Sequence, residues 1–403
     1  MELLIRLFRR ETTSKEFIPV IDGLRFLAIL MVVLFHADAY TKERAAGFRY
    51  STEGLWFEHV PDVFFFMDQG VQLFFVISGF ILAIPFMRFE LGLSDRKPKL
   101  RSYYLRRITR LEPPYIISTI LIFLLLLFFL NSKYPAGTLI TSLFSSLFYV
   151  HTLVFPGEFP YINPVTWSLE IEVQYYILAP FFIWFLCRVK DKWKRRALNS
   201  LLIVLFSCLS WVIEEYFQSK TMTLALFLQY FFTGILLCDI FLLDSDKLER
   251  LNRWWIFVLG LILLVPITCT ELSFTPSLIL RILFPPMLLA FYLIVFGNKW
   301  WNKIFSLSGI TLIGGMCYSI YLLHTVIISA VGRLTTVRLQ GFDYLTFYWS
   351  QVMIFLVAVL AVSAIYFLLI EKPCMKRDWH TKLWQNIKGN ELFGNKVGVK
   401  DSI

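Results

Sequence analysis

The chain has 403 residues, 57% of them hydrophobic and 41 of them Phe, with a mean hydropathy of +0.65 and a formal net charge of +10. This composition excludes a soluble globular domain and marks a polytopic membrane protein. On a soluble chain the charge would point to nucleic acid, but here the basic residues sit in short connections between apolar runs. Membrane topology accounts for that, so the expected surroundings are membrane lipid and no nucleic acid.

A basic leader, residues 1–17, carries Arg6, Arg9, Arg10 and Lys15. With the apolar stretch that follows and Ala37-Asp38-Ala39 it resembles a signal peptide. Asp22 and Arg25 intrude before the apolar core, however, and cleavage after Ala39 would discard them, so the segment is read as an uncleaved first helix. Within it, Arg25 and His36 are costly in hydrocarbon and mark a functional position. Eleven residues at roughly 100° each bring His36 to within about 20° of the azimuth of Arg25, about 16 Å further along. Asp22, three residues before Arg25, shares that side, so the three form a polar stripe that must face protein or water. The dull alternatives are a structural Asp22–Arg25 ion pair and a hydrogen-bonded packing histidine. Asp38 lies on nearly the opposite face from His36 and is not expected to orient it.

Apolar runs of spanning length occur near 18–40, 68–87, 113–130, 167–187, 199–217, 222–242, 254–270, 279–296, 310–330 and 346–370. A shorter candidate covers 139–155. With ten spans and a cytoplasmic N-terminus, 30 of the 39 Lys and Arg fall on the inner side and 7 on the outer. A spanning 139–155 would put the basic loop Arg188–Arg196 outside, against the positive-inside rule. The expected fold is therefore an all-α membrane bundle of about ten helices, both termini cytoplasmic, with 139–155 interfacial or re-entrant on the outer side. The membrane domain covers 18–371 and a polar cytoplasmic tail covers 372–403.

The second span opens on Gly70-Val-Gln-Leu-Phe-Phe-Val-Ile-Ser-Gly-Phe80. Ser78 is not in a Gly-x-Ser-x-Gly elbow, so Ser78-Gly79 reads as a close helix-packing spot. Arg106-Arg107-Ile-Thr-Arg110-Leu-Glu-Pro113-Pro114 leads into the third span from inside, the prolines fitting a helix start. The arginines are either ordinary positive-inside charge or a site for an anionic cytoplasmic ligand. In Trp167-Ser-Leu-Glu170-Ile-Glu172-Val-Gln-Tyr-Tyr176, the two glutamates are about 200° apart and only one can face the interior. Glu172 shares a face with Ser168 and Tyr176; the dull alternative is interfacial aromatics with one solvated carboxylate, which by azimuth would be Glu170. Tyr321 and His324 sit in the ninth span, and Glu371-Lys-Pro373 closes the last. His59, His151 and His380 show no partner pattern. Six scattered cysteines read as small hydrophobes, and no metal site is supported.

Taken together these residues resemble the acyltransferase 3 family of integral membrane acyltransferases. The matching pieces are Asp22-Gly-Leu-Arg25 with His36, Phe74–Phe80, Arg106-Arg107-x-x-Arg110-x-x-Pro113, Trp167-Ser-Leu-x-x-Glu172, Tyr321-Leu-x-His324 and Glu371-x-Pro373. The resemblance implies transfer of an acyl group, commonly acetyl, from cytoplasmic acyl-CoA to a hydroxyl of a sugar or surface glycan at a bacterial inner membrane, without metal. It implies His36, Arg25 and Glu172 as catalytic residues, and Arg106, Arg107 and Arg110 as donor-binding. Asp22, Ser78, Trp167, Tyr321 and His324 would line the substrate path. Gln72 and Val173 depart from the family pattern by replacing common acidic residues. No hydrolase-like extracellular domain is fused, so separate glycan-assembly proteins are expected partners. A transporter of glycans or lipid-linked sugars, or a proton-coupled carrier, is the alternative for such a stripe, although no inverted repeat or broken helix is visible.

Overall fold

The computed structural model describes residues 7–10, 18–45, 64, 67–129, 133–217, 222–269, 277–339 and 341–375. His59, His380 and most of the leader and tail lie outside the described residues. Within them the chain is helical, with no strand. The elements used below are α1 (Pro19–Ala45), α2 (Gly70–Glu90), α3 (Leu100–Phe128), α4 (Ala136–Leu147), α5 (Trp167–Cys187) and α6 (Lys192–Phe217). They continue with α7 (Leu228–Leu243), α8 (Trp254–Cys269), α9 (Leu278–Gly297), α10 (Ser308–Gly315), α11 (Cys317–Leu339) and α12 (Tyr344–Tyr366).

Eight of these helices are long and apolar enough to cross a bilayer. A ninth is α7 taken with Ser245–Leu251, to which it bends by 98°. The apolar α8 stands where a tenth is expected, but at 16 residues it is shorter than the eight long helices. Spans of this kind satisfy every backbone group internally and leave apolar side chains to face lipid. Accordingly Ile177, Phe181, Leu201, Ile262 and Val357 are exposed. The chain is an integral, multi-pass membrane protein.

The expected span at 310–330 begins later, because the chain breaks at Met316 between α10 and α11. A second correction concerns Pro113 and Pro114, which lie inside α3 rather than at its start. Prolines in a helix interior leave carbonyls without their usual donors. Nearby tyrosines donate to this stretch: Tyr318 to the carbonyl of Leu111 at 2.9 Å and Tyr366 to that of Pro114 at 2.5 Å. The continuous helix carries Arg110 inside the bundle instead of leaving it in a loop.

α2 and α7 make the most intimate helix contact. A Cβ on Gly79 would fall 2.3 Å from the carbonyl oxygen of Phe231, and one on Gly234 would fall 2.2 Å from that of Val76. Both obstacles are backbone and cannot swing aside. Gly79 is thus the close-packing spot, against α7. Replacing Gly79 with Leu should prevent α2 from docking, at a cost of at least about 1–3 kcal/mol. The check is recovery of monodisperse protein and its melting temperature in detergent; a wild-type value would refute the packing argument.

Residues 139–155 do not span. Leu139 packs on Ile122 and Phe123, Tyr115 donates to the carbonyl of Ser146 at 3.0 Å, and Tyr149 donates to Glu112 at 3.0 Å. Rising numbers on α4 therefore pair with falling numbers on α3, so α4 runs antiparallel down to the level of Glu112. There the chain reverses through Tyr149, whose φ of 57° is left-handed. It then returns through His151–Val154 until Tyr161 stacks on Tyr134 at 4.2 Å. This is a re-entrant segment. It buries His151 and Thr152 against the bundle and leaves the apolar side chains of Phe148, Leu153 and Val154 exposed.

Candidate active site

The site begins at the end of the bundle that carries the basic connections. Asp22, 1% exposed, takes one guanidinium on each oxygen: Arg25 Nη1 to Oδ1 and Arg10 Nε to Oδ2, both at 2.9 Å. One carboxylate between two cations leaves the cluster positive, and Arg110 lies within electrostatic reach of both. Burial, reinforced by the neighbouring Arg25 and Arg110, pulls Arg10 down to about 9. The local charge is short of anions.

Glu371 approaches from the other side. The π-helical turn Phe367–Glu371 after α12 aims its Oε2 at the Ser319 amide (3.0 Å) and hydroxyl (2.5 Å). Its Oε1 is buried without a hydrogen-bond partner, as are the Nε atoms of Arg107 and Arg110. Orphaned buried polar atoms of this kind call for water or a ligand. Arg107 and Arg110 are three residues apart and share a face of α3. Arg107 lies against the rings of Tyr103 (5.6 Å) and Tyr176 (5.7 Å). Arg106, about 100° from Arg107 and about 40° from Arg110 in azimuth, is exposed.

Further along, Glu172 accepts a hydrogen bond from Ser78 across α2 and α5. Tyr321 donates to the carbonyl of Val165 at 2.6 Å and meets the Ser168 hydroxyl at 3.0 Å. The file ends where the rings of His36 and His324 approach to 5.1 Å between centroids. Arg25, Arg107, Arg110, Glu172, Tyr321 and His36 are all half-buried rather than closed off, although they lie within the bundle.

The structure therefore brings together Asp22, Arg25, Arg107 and Arg110, then Ser78 with Glu172, and then Tyr321, His324 and His36. Trp167 is elsewhere, packed on Phe227 (5.3 Å) and Phe159 (6.4 Å). Asp38 takes Tyr348 (2.6 Å) and Lys42 (3.2 Å), away from His36. The reading of Glu170 as a solvated carboxylate is overturned. It is 2% exposed and accepts from Thr152 Oγ1 at 2.6 Å, because the re-entrant segment packs over it. Arg10 escaped the sequence reading. The only trace of it there is that Asp22 offers two oxygens and Arg25 needs one. Among the described residues no cluster of three or more His, Cys, Asp or Glu could hold a metal ion.

Fold and site define a multi-pass membrane protein with a cationic mouth joined to a histidine pair by polar side chains. The model of the acyltransferase domain family, acyltransferase 3, matches residues 18–368, and the chain belongs to that family. It is 27% identical over 178 residues to the peptidoglycan O-acetyltransferase OatA of Listeria monocytogenes, covering 42% of this chain and 25% of that protein. A Staphylococcus aureus protein provisionally named an O-acetyltransferase is 26% identical over 342 residues, 78% of this chain and 51% of its own length. The chain thus spans about half or less of the curated relatives it matches. No solved structure matches it.

Proposed function

We propose that this chain is a membrane O-acyltransferase that moves an acyl group, acetyl first, from cytoplasmic acyl-CoA to a hydroxyl of a cell-wall glycan on the outer side of a bacterial cell membrane. The observation that carries this is the polar file from Arg10 and Asp22 to His36 and His324, cationic at one end and neutral, with imidazoles, at the other. The relatives named as acting on peptidoglycan support the glycan class of acceptor.

In this reading the donor phosphates meet Arg107, Arg110 and Arg25, where guanidiniums outnumber carboxylates and the Nε–H groups of Arg107 and Arg110 are orphaned. The narrow acyl-bearing arm of the donor reaches along the file to His36. His36 takes the proton from the acceptor hydroxyl as the oxygen attacks the thioester carbonyl; the C–S bond breaks, and the CoA thiolate leaves and is reprotonated. The second balanced route passes the acyl group through a His36 acyl-imidazole, with the free CoA thiol released first. Ping-pong against sequential initial-rate patterns separates the two. Glu172, held by Ser78, orients the acceptor or the donor arm near the middle of the file.

The test is purified protein in proteoliposomes given radiolabelled acetyl-CoA and a soluble muropeptide. Label should appear as alkali-labile ester on the sugar, and absence of any transfer would overturn the reading. The sidedness is tested separately. In a background with Cys187, Cys208, Cys238, Cys269, Cys317 and Cys374 replaced by Ser, a cysteine at Lys192 should resist an impermeant thiol reagent in intact cells. One at Gly157 should react. The reverse pattern would turn the topology over.

A further inference from the structure

His324 is fully buried, and its Nδ1 lies 2.8 Å from the carbonyl oxygen of Tyr321 and 3.1 Å from that of Ile320, both on its own helix. A carbonyl oxygen only accepts, so Nδ1 carries the proton and, in the neutral ring, Nε2 carries the lone pair. That Nε2 is buried and has no hydrogen-bond partner. The polar groups around it are already engaged. The Tyr321 hydroxyl is held by Val165 and Ser168, the Asn163 amide donates to Leu322 at 2.9 Å, and Thr325 donates to Asn163 at 3.2 Å. What does face the imidazole is His36, its ring centroid 5.1 Å away and its plane tilted by 51°. The two rings are not hydrogen-bonded as they stand, but at this separation rotation of the His36 ring brings one of its nitrogens to hydrogen-bond distance of Nε2.

We propose that His324 is the positioning residue for His36: its Nε2 accepts the ring N–H of His36 and so fixes which His36 nitrogen presents its lone pair to the acceptor hydroxyl. A neutral imidazole has one donor and one acceptor nitrogen, and anchoring the donor aims the acceptor. The usual partner for this task is a carboxylate that holds the base in one tautomer and orientation. In a membrane interior a second neutral ring does the same without adding a buried charge. α11 supplies the rigidity, since the backbone carbonyls that hold Nδ1 belong to the helix itself. The proposal rests on His36 being the base in the function proposed above.

The two nitrogens of His324 can be separated by substitution, because a Gln side chain carries its carbonyl oxygen near the position of Nε2 whereas Asn reaches only the position of Nδ1. His324→Gln, His324→Asn and His324→Leu are compared in proteoliposomes with radiolabelled acetyl-CoA and a soluble muropeptide, with size exclusion and melting temperature recorded for each. His324→Gln should keep kcat within about tenfold of wild type, while His324→Asn and His324→Leu should lose about 10²-fold or more. The KM for acetyl-CoA should stay within about twofold throughout. Equal activity of Asn and Gln, a loss confined to KM, or near-wild-type turnover of the Leu variant would each overturn the proposal. If the Leu variant does not fold, the Gln–Asn comparison decides alone. Full activity of His36→Ala would instead refute the underlying function, which keeps the two failures distinct.

Discussion

Replacing His36 with alanine will lower kcat for acetyl transfer by about 10²–10⁴-fold, the range expected when a positioned general base is lost. The protein will still insert and stay monodisperse. The side chain is half-buried at the end of the polar file, and its ring is not part of the apolar packing that Ile29, Val33 and Ala37 make on the neighbouring face of α1. Removing an imidazole from such a position costs chemistry much more than it costs packing. The measurement is single-turnover ester formation from labelled acetyl-CoA in proteoliposomes, with size exclusion as the folding control. A folded His36→Ala protein with turnover within tenfold of wild type would remove the residue from the mechanism.

The second large effect concerns the donor. Arg107→Gln and Arg110→Gln should each raise the apparent KM for acetyl-CoA by roughly 10- to 150-fold, since a charge-assisted hydrogen bond is worth about 1.5–3 kcal/mol. The KM for the acceptor should change little. Arg106→Gln is the internal control: its side chain is exposed where those of Arg107 and Arg110 are half-buried, so the donor KM should move by less than about threefold, as for a surface charge. Arg10→Gln gives a further contrast, because it removes one of the two cations that hold Asp22. Equal KM shifts for Arg106 and Arg110, or no shift for either, would assign the cluster to membrane topology alone.

Much of the cationic mouth and little of its wiring could be read from the residues in order. Helical periodicity places Arg110 about 60° from Arg107 and about 40° from Arg106, so it does not single out Arg106; only the exposure of Arg106 in the folded bundle does. The motif as a string nevertheless groups all three. The Ser78–Glu172 contact joins residues 94 apart, and nothing local in either helix specifies the other. Glu170 looked like the carboxylate left to solvent because helical azimuth places it opposite Glu172. The azimuth was right. The occupant of that opposite face, Thr152 on the re-entrant segment, was not legible. Pro113 and Pro114 misled for a related reason: local propensity ends a helix there, yet the helix runs on and tyrosines from α11 and α12 dock on it at the carbonyls of Leu111 and Pro114.

The sequence by itself determined the membrane class, because hydrocarbon demands long apolar helices whatever their packing. It also determined the polar stripe of Asp22, Arg25 and His36, because 3.6 residues per turn fixes azimuth within one helix. The non-spanning character of residues 139–155 followed from where the positive charges lie along the chain. Only the tertiary structure decided that Arg10 shares Asp22 with Arg25, that Glu371 reaches Ser319, and that His324 meets His36. Those pairings depend on how separate helices dock. Docking is set by the shapes of apolar faces and by small residues such as Gly79 and Gly234, and that information is spread over many contacts rather than held in any one segment.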